Sequence, residues 1–128
     1  METHKTEKSI GKLGEDLAIK YLISRKYSIL DKNYIPQEVL GRQIGEIDII
    51  AKKDDQVIFV EVKTLSKKPG FYPEQKINKN KLEKIIKNAK YWLTKNKAKS
   101  WRIDVIAIDL DKERNKARIR HYKNITTP

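Results

Sequence analysis

The chain has 128 residues, and we expect them to form a single domain (residues 1–128). Its 29 Lys and Arg against 17 Asp and Glu give a formal net charge of +12. This charge favours a polyanionic partner, nucleic acid before an anionic membrane surface, although it could also serve only to keep the protein in solution. The absence of cysteine excludes disulfides and thiolate sites and suits the cytoplasm, and no apolar stretch is long enough to span a membrane.

The first predicted element is a helix from about Lys8 to Arg25, because its apolar residues recur at the spacing that lines one helix face. We expect the polar segment before it, residues 1–8, to be flexible. A short strand over residues 27–33 follows, and the Pro- and Gly-containing segment after it predicts a loop that runs to Gly45.

Two β-rich runs, Glu46 to Ala51 and Val57 to Thr64, come next. They flank the polar tetrad Lys52-Lys53-Asp54-Asp55 and predict an antiparallel hairpin. These four polar residues are predicted to form the loop between the two strands.

The second half of the chain predicts one more helix and two more strands. The helix ends near Asn96, and the strands cover Trp101 to Leu110 and Ala117 to Tyr122, joined by a charged turn. We expect Trp92 and Trp101 to pack in the core. The resulting order, α-β-β-β-α-β-β, predicts an α/β protein in which a mixed central β-sheet is flanked by helices.

The hairpin determines which side chains meet. A four-residue loop pairs Ala51 with Gln56. In that register Asp48 faces Phe59, one diagonal step from Glu61. The same register gathers aliphatic residues on the other face, which supports it: Ile47, Ile49, Ile58, Val60 and Val62.

Acidic and basic side chains converge on this hairpin. Glu61 and Lys63 are two positions apart on one strand, so they project together beside Asp48. Two carboxylates a few Å apart suit Mg²⁺ or Mn²⁺, and a lysine beside them can orient an attacking water or neutralise charge on a phosphate. Glu46 shares this face and is a secondary candidate. The alternative is a structural ion pair at the edge of the sheet.

Two sequence runs resemble a known nuclease core. Gly45-Glu46-Ile47-Asp48-Ile49-Ile50 and Phe59-Val60-Glu61-Val62-Lys63 resemble the D…E-x-K core of the PD-(D/E)XK nuclease superfamily, and within it the bacterial YraN (UPF0102) family. Gly11-Lys12-Leu13-Gly14-Glu15 and Arg102-Ile103-Asp104-Val105 extend the similarity. The proline that names the superfamily motif is replaced by Ile47.

The resemblance implies a restriction-endonuclease-like fold and an endonuclease that hydrolyses DNA, including branched or flapped DNA, with Mg²⁺ or Mn²⁺. It implies Asp48, Glu61 and Glu15 as metal ligands and Lys63 as the catalytic lysine. For Glu15 a solvated surface position is the alternative. Many nucleases of this superfamily act as homodimers. The alternative functions are a non-catalytic nucleic-acid-binding module and an accessory protein of a DNA-processing complex.

Lysines crowd the second helix and its flanks. Lys81 and Lys90 flank the apolar stripe of that helix, while Lys67 and Lys68 follow the E-x-K strand, and we predict that these four contact phosphates. A solvated helix face is the alternative. Neither histidine has a partner at metal-ligand spacing, so we assign no role to either.

Overall fold

The helices and strands occur in the predicted order. The computed structural model describes residues 7–37, 45–65, 79–111 and 113–126. Within these ranges the elements are α1 (Glu7–Ser24), β1 (Ser28–Tyr34), β2 (Ile47–Lys53), β3 (Gln56–Leu65), α2 (Lys79–Lys95), β4 (Ser100–Asp111) and β5 (Lys116–Tyr122). The predicted α-β-β-β-α-β-β order is therefore confirmed.

The five strands form one mixed sheet in the order β1-β2-β3-β4-β5. Neighbouring strands are antiparallel except β3 and β4, which run parallel from Gln56↔Ser100 to Leu65↔Asp109. Parallel neighbours need a crossover connection, and α2 lies in the one between β3 and β4. No helix within the described ranges is long and apolar enough to cross a membrane.

Each face of the sheet carries its own apolar cluster. On one face Ala18 and Leu22 of α1 pack on aliphatic side chains of β2, β3 and β4. On the other face α2 packs on Phe59, whose ring meets Trp92 and Trp101 edge to face at centroid distances of 5.8 Å. The expected core packing is thus confirmed for Trp92, which is buried, and Trp101 is partly buried. Both strand faces are covered, as their nearly continuous apolar runs require.

The β2–β3 hairpin is tighter than its sequence suggested. The predicted pairing of Ala51 with Gln56 is wrong, because Gln56 pairs with Lys53 and the turn contains only Asp54 and Asp55. These two residues have φ angles of 50° and 65°. Positive φ at both central positions is typical of a two-residue type I′ turn, which aspartate tolerates better than most residues.

The tighter turn shifts the register by two positions. Phe59 pairs with Ile50, so the prediction that Asp48 faces Phe59 is wrong. Because side chains alternate with a period of two, this shift leaves the residues of the paired segment on their predicted faces. Beyond the end of the ladder, Asp48 still lies beside β3, because it accepts the Val62 N–H and the charge of Glu61 acts on it.

Ile47 also departs from its predicted position. It is buried in the cluster under α2 and not in the α1-side cluster that contains Ile49. The β2–β3 ladder ends at Ile49↔Val60, so Ile47 lies beyond the paired part of the hairpin. At this point the Val62 N–H donates to the Asp48 side chain.

A glycine sets how closely α1 approaches the sheet. A Cβ atom on Gly14 would overlap the side chain of Thr64 on β3. The missing side chain therefore allows this turn of α1 to lie directly against the strand. As a result the next residue, Glu15, is held near the carboxylates of β2 and β3.

Candidate metal centre

Asp48 is the centre of an acidic cluster at the start of β2. Its Oδ2 accepts a hydrogen bond of 2.7 Å from the Val62 N–H. Burial and the negative charge of Glu61 nevertheless raise the pKa of Asp48 from 3.8 to about 8. Glu15 adds to this rise, while the Val62 hydrogen bond and Lys81 oppose it. Placing a second negative charge here is therefore unfavourable unless a cation compensates it.

Three carboxylates approach one another from two parts of the chain, α1 and the start of β2. One oxygen each from Glu15, Glu46 and Asp48 lies within 4.8 Å of the others. Burial, and then the charges of Glu46 and Asp16, raise the pKa of Glu15. The side-chain amide of Asn33, oriented with its nitrogen toward the acids, donates to Glu46 Oε1 (3.2 Å) and Glu15 Oε1 (2.5 Å).

Glu61 lies beside this cluster and is bound by two lysines. The residue is buried, and its Oε1 is 2.7 Å from Lys81 Nζ and 3.6 Å from Lys63 Nζ. Burial and the neighbouring Lys81 lower the pKa of Lys63, although Glu61 opposes this. Burial alone would lower the pKa of Lys81, but its hydrogen bond to Glu61 raises that pKa overall.

The structure brings together most of the residues predicted from the sequence. Asp48, Glu61 and Lys63 converge, and Glu15 reaches the same place from α1. Glu46, a secondary candidate in the sequence, is one of the three clustered acids. Their roles as ligands and catalysts remain predictions.

The four predicted phosphate-binding lysines have different positions. Lys81 contacts Glu61, so in this structure it is part of the centre. Lys90 is exposed on α2, as expected for a lysine that is accessible to a polyanion. Lys67 and Lys68 lie outside the described residues.

The donor set fits a hard divalent cation. Glu15, Glu46 and Asp48 offer only carboxylate oxygens, which Mg²⁺ and Mn²⁺ prefer. Burial, and then the charges of neighbouring acids, raise the pKa of Glu15 and raise that of Asp48 to about 8, and a bound cation would offset both effects. Glu61 is the adjoining carboxylate, and its lysine partners supply positive charge on that side.

The sequence analysis missed a second polar network, which is centred on Asp104 in β4. Asp104 is fully buried and binds Arg102 Nε (2.9 Å), His121 Nε2 (2.7 Å) and the Asn124 N–H (2.9 Å). Burial would raise its pKa, but the hydrogen bonds from His121 and Arg102 bring that pKa below 3.8. Arg102 also donates to Tyr27 Oη at 3.1 Å. The available signal was the position of Asp104 within the otherwise apolar run from Ile103 to Ile108.

The Asp104 network shares no residue with the acidic cluster around Asp48. It joins β4 to β5 and to the chain after β5, where the Ile125 N–H also donates to the Ile103 carbonyl (2.8 Å). Each charged group in it has an opposite partner, in contrast to the acids around Asp48. We therefore assign it to stability.

The fold and the centre define an α/β protein whose mixed sheet carries a carboxylate cluster bordered by lysines. Residues 14–108 match the model of the Uncharacterised protein family UPF0102. A UPF0102 protein of Clostridioides difficile (strain 630) is 41% identical over 119 residues, which cover 91% of this chain and 96% of that protein. A UPF0102 protein of Clostridium perfringens (strain 13 / Type A) is 37% identical over 122 residues, 94% of this chain and 95% of the relative.

The chain belongs to the UPF0102 family, which confirms the family resemblance found in the sequence. The matched segment contains every acid and lysine of the centre described above, from Glu15 to Lys81.

Proposed function

We propose that this protein is a Mg²⁺- or Mn²⁺-dependent phosphodiesterase that hydrolyses DNA. The observation that carries the proposal is the approach of Glu15, Glu46 and Asp48 to within 4.8 Å of one another, next to Glu61 and Lys63. The net charge of +12 supports a polyanionic substrate. The resemblance of the hairpin to a D…E-x-K core supports phosphodiester hydrolysis in particular.

Glu15, Glu46 and Asp48 would hold the metal ion, with Glu61 adjoining them. When bound, Mg²⁺ or Mn²⁺ supplies Lewis-acid polarisation of the scissile phosphate and a lower pKa for the attacking water. Water oxygen forms a bond to phosphorus, the bond from phosphorus to the leaving oxygen breaks, and the proton lost by water ends on that oxygen.

Lys63 and Lys81 provide the positive charge on the other side of Glu61. A protonated lysine near the reacting phosphate stabilises the negative charge that develops there. The lowered pKa of Lys63 makes its proton easier to donate than that of an ordinary lysine, which suits proton exchange with water or the leaving oxygen. Lys81, whose pKa is raised, is suited to remain a fixed cation.

One observation favours a second candidate, a nucleic-acid-binding module without turnover. Glu61 Oε1 lies 2.7 Å from Lys81 Nζ and 3.6 Å from Lys63 Nζ, so the two lysines can neutralise its charge. In this second candidate the lysines and Glu61 form a structural ion-pair network that stabilises the fold.

Cleavage of labelled DNA distinguishes the two functions. Single-stranded, duplex, flap and four-way-junction DNA are incubated with Mg²⁺ or Mn²⁺ and wild-type protein, Asp48→Asn or Lys63→Met, after each variant is shown to be folded. Lys116→Met, an exposed lysine on β5, is the matched control. We expect the wild type and the control to cut, and the two centre variants and EDTA to abolish cutting.

Binding without cleavage would contradict the proposed enzyme. A wild-type protein that binds these DNAs, never cuts them and responds identically with EDTA contradicts the enzyme and favours the binding module.

A further inference from the structure

A groove lies between the edge strand β1 and the C-terminal end of α2. Its volume is about 1000 Å³. Leu30 and Ile35 line it from the β1 side, and Trp92 lines it from α2. Lysines complete the lining: Lys52, Lys95, Lys97 and Lys99.

The charge of the groove fits a polyanion. Four of its lining residues are lysines and two, Asp31 and Asp55, are acids. The lysines come from two separate parts of the chain, since Lys52 is on β2 and the other three end or follow α2. A concave surface lined by one dominant sign of charge concentrates ligands of the opposite sign.

The apolar residues indicate which form of nucleic acid fits. Leu30 and Ile35 are 45% and 44% exposed, and they are the groove's accessible large aliphatic side chains among the described residues. A duplex turns its phosphates outward and keeps its bases stacked inside, so it would leave this apolar surface unused. A single strand offers base faces to the apolar residues and phosphates to the lysines at the same time.

The groove is distinct from the acidic centre but shares α2 with it. Lys81, at the centre, and Lys95, in the groove, are 14 positions apart on this helix. At a rise of about 1.5 Å per residue they are about 21 Å apart, and 14 residues are close to four turns, so both lie on similar sides of the helix. One nucleic-acid chain can therefore reach both places.

We propose that this groove binds a single-stranded segment of nucleic acid on the substrate. The inference rests on the proposed function for the identity of the polymer, and it deepens that function by naming a strand-binding site away from the metal centre. Lysines of the groove contact the phosphates, and Leu30 and Ile35 contact the bases.

Fluorescence anisotropy in EDTA tests the groove without any cleavage. The probe is a labelled oligothymidylate of about 15 nucleotides, near the upper site size of small strand-binding domains, compared with a duplex of equal length. The groove variant is Lys97→Glu/Lys99→Glu. The matched control is Lys116→Glu/Lys123→Glu, which makes the same charge change at exposed positions on and just after β5, the opposite edge of the sheet.

We expect the groove variant to bind the single strand at least about tenfold more weakly than the control, with a log K against log salt slope smaller by about 1.4. Ile35→Asn should weaken single-strand binding and leave duplex binding unchanged. Equal losses in the groove and control variants, or equal losses for single strand and duplex, overturn the proposal.

Calorimetric titration with Mn²⁺ separates this inference from the proposed function. If the protein binds single strands through the groove but neither binds Mn²⁺ nor cuts DNA, the proposed phosphodiesterase activity is wrong and the proposed strand-binding site stands. If the protein cuts DNA with metal and the groove variant binds the single strand as tightly as the wild type, the phosphodiesterase activity stands and the strand-binding site is wrong.

Discussion

Replacing Asp48 with asparagine should stabilise the metal-free protein. The pKa of Asp48 rises from 3.8 to about 8 on folding, chiefly because of burial and the charge of Glu61. Asparagine has nearly the same shape, carries no charge, and retains a side-chain oxygen that can accept the Val62 N–H. Asp48→Asn therefore removes an unfavourable charge while keeping the hydrogen bond.

The size of the effect follows from linkage between protonation and folding. Well below pH 3.8 Asp48 is protonated in both the folded and the unfolded chain, so the substitution changes little. As the pH rises toward 8, the unfolded chain releases this proton and the folded chain retains it, so the wild type loses about 1.4 kcal/mol per pH unit. With the pKa at about 8, Asp48→Asn should be more stable by about 4 kcal/mol at pH 7.

Urea unfolding in EDTA between pH 4 and pH 8 measures this difference. Glu113→Gln, in the exposed β4–β5 turn, is the control for the loss of one negative charge. The proposed function predicts that saturating Mn²⁺ reverses the order, because the cation would stabilise the wild-type centre and bind the variant weakly. A variant no more stable than the wild type at pH 7, or one equally stabilised at pH 4 and pH 7, refutes the reasoning.

Three further substitutions test other contacts by urea unfolding. Gly14→Ala should lower the free energy of unfolding by about 1–3 kcal/mol because the new methyl group overlaps Thr64. Adding Thr64→Gly should restore part of this loss, and no restoration would mean that the strain lies elsewhere. Lys81→Met should lower the free energy of unfolding by about 1 kcal/mol at pH 7, a small value because this lysine is partly exposed to solvent. If the loss is no larger than that of Lys84→Met, the contact with Glu61 adds no stability. Asp104→Asn should lose about 3–5 kcal/mol because Arg102 is left partly buried without its carboxylate partner. A loss under about 1 kcal/mol would contradict this role for the network.

Local patterns in the sequence were sufficient for the elements and for most of the centre. Apolar periodicity located both helices, and alternation placed Glu61 and Lys63 together on β3. These are short-range properties that a single segment determines by itself. The family resemblance added Glu15, for which the helix pattern alone left a surface position equally open.

The errors arise at one turn and at contacts between distant segments. The polar tetrad suggested a loop of four residues, yet Lys52 and Lys53 continue the strand and the turn uses only two aspartates. Polarity alone does not reveal that an aspartate adopts a positive φ. The hydrogen bond between His121 and Asp104 and the ion pair between Lys81 and Glu61 likewise join positions far apart in sequence, and no local pattern specifies such pairs.

The pairing of the strands also bears on how the centre assembles as the chain folds. The acids lie on α1, beside β2 and on the β2–β3 hairpin, which closes over a two-residue turn, whereas Lys81 arrives with α2 and the parallel β3–β4 ladder. Longer loops cost more entropy to close, so contacts within the hairpin form more readily than those across the crossover. Asp48 and Glu61, 13 positions apart on the hairpin, thus meet before Lys81, which is 20 positions from Glu61, and before Glu15, which is 33 positions from Asp48. We expect a divalent cation to accelerate refolding as well as to stabilise the folded protein.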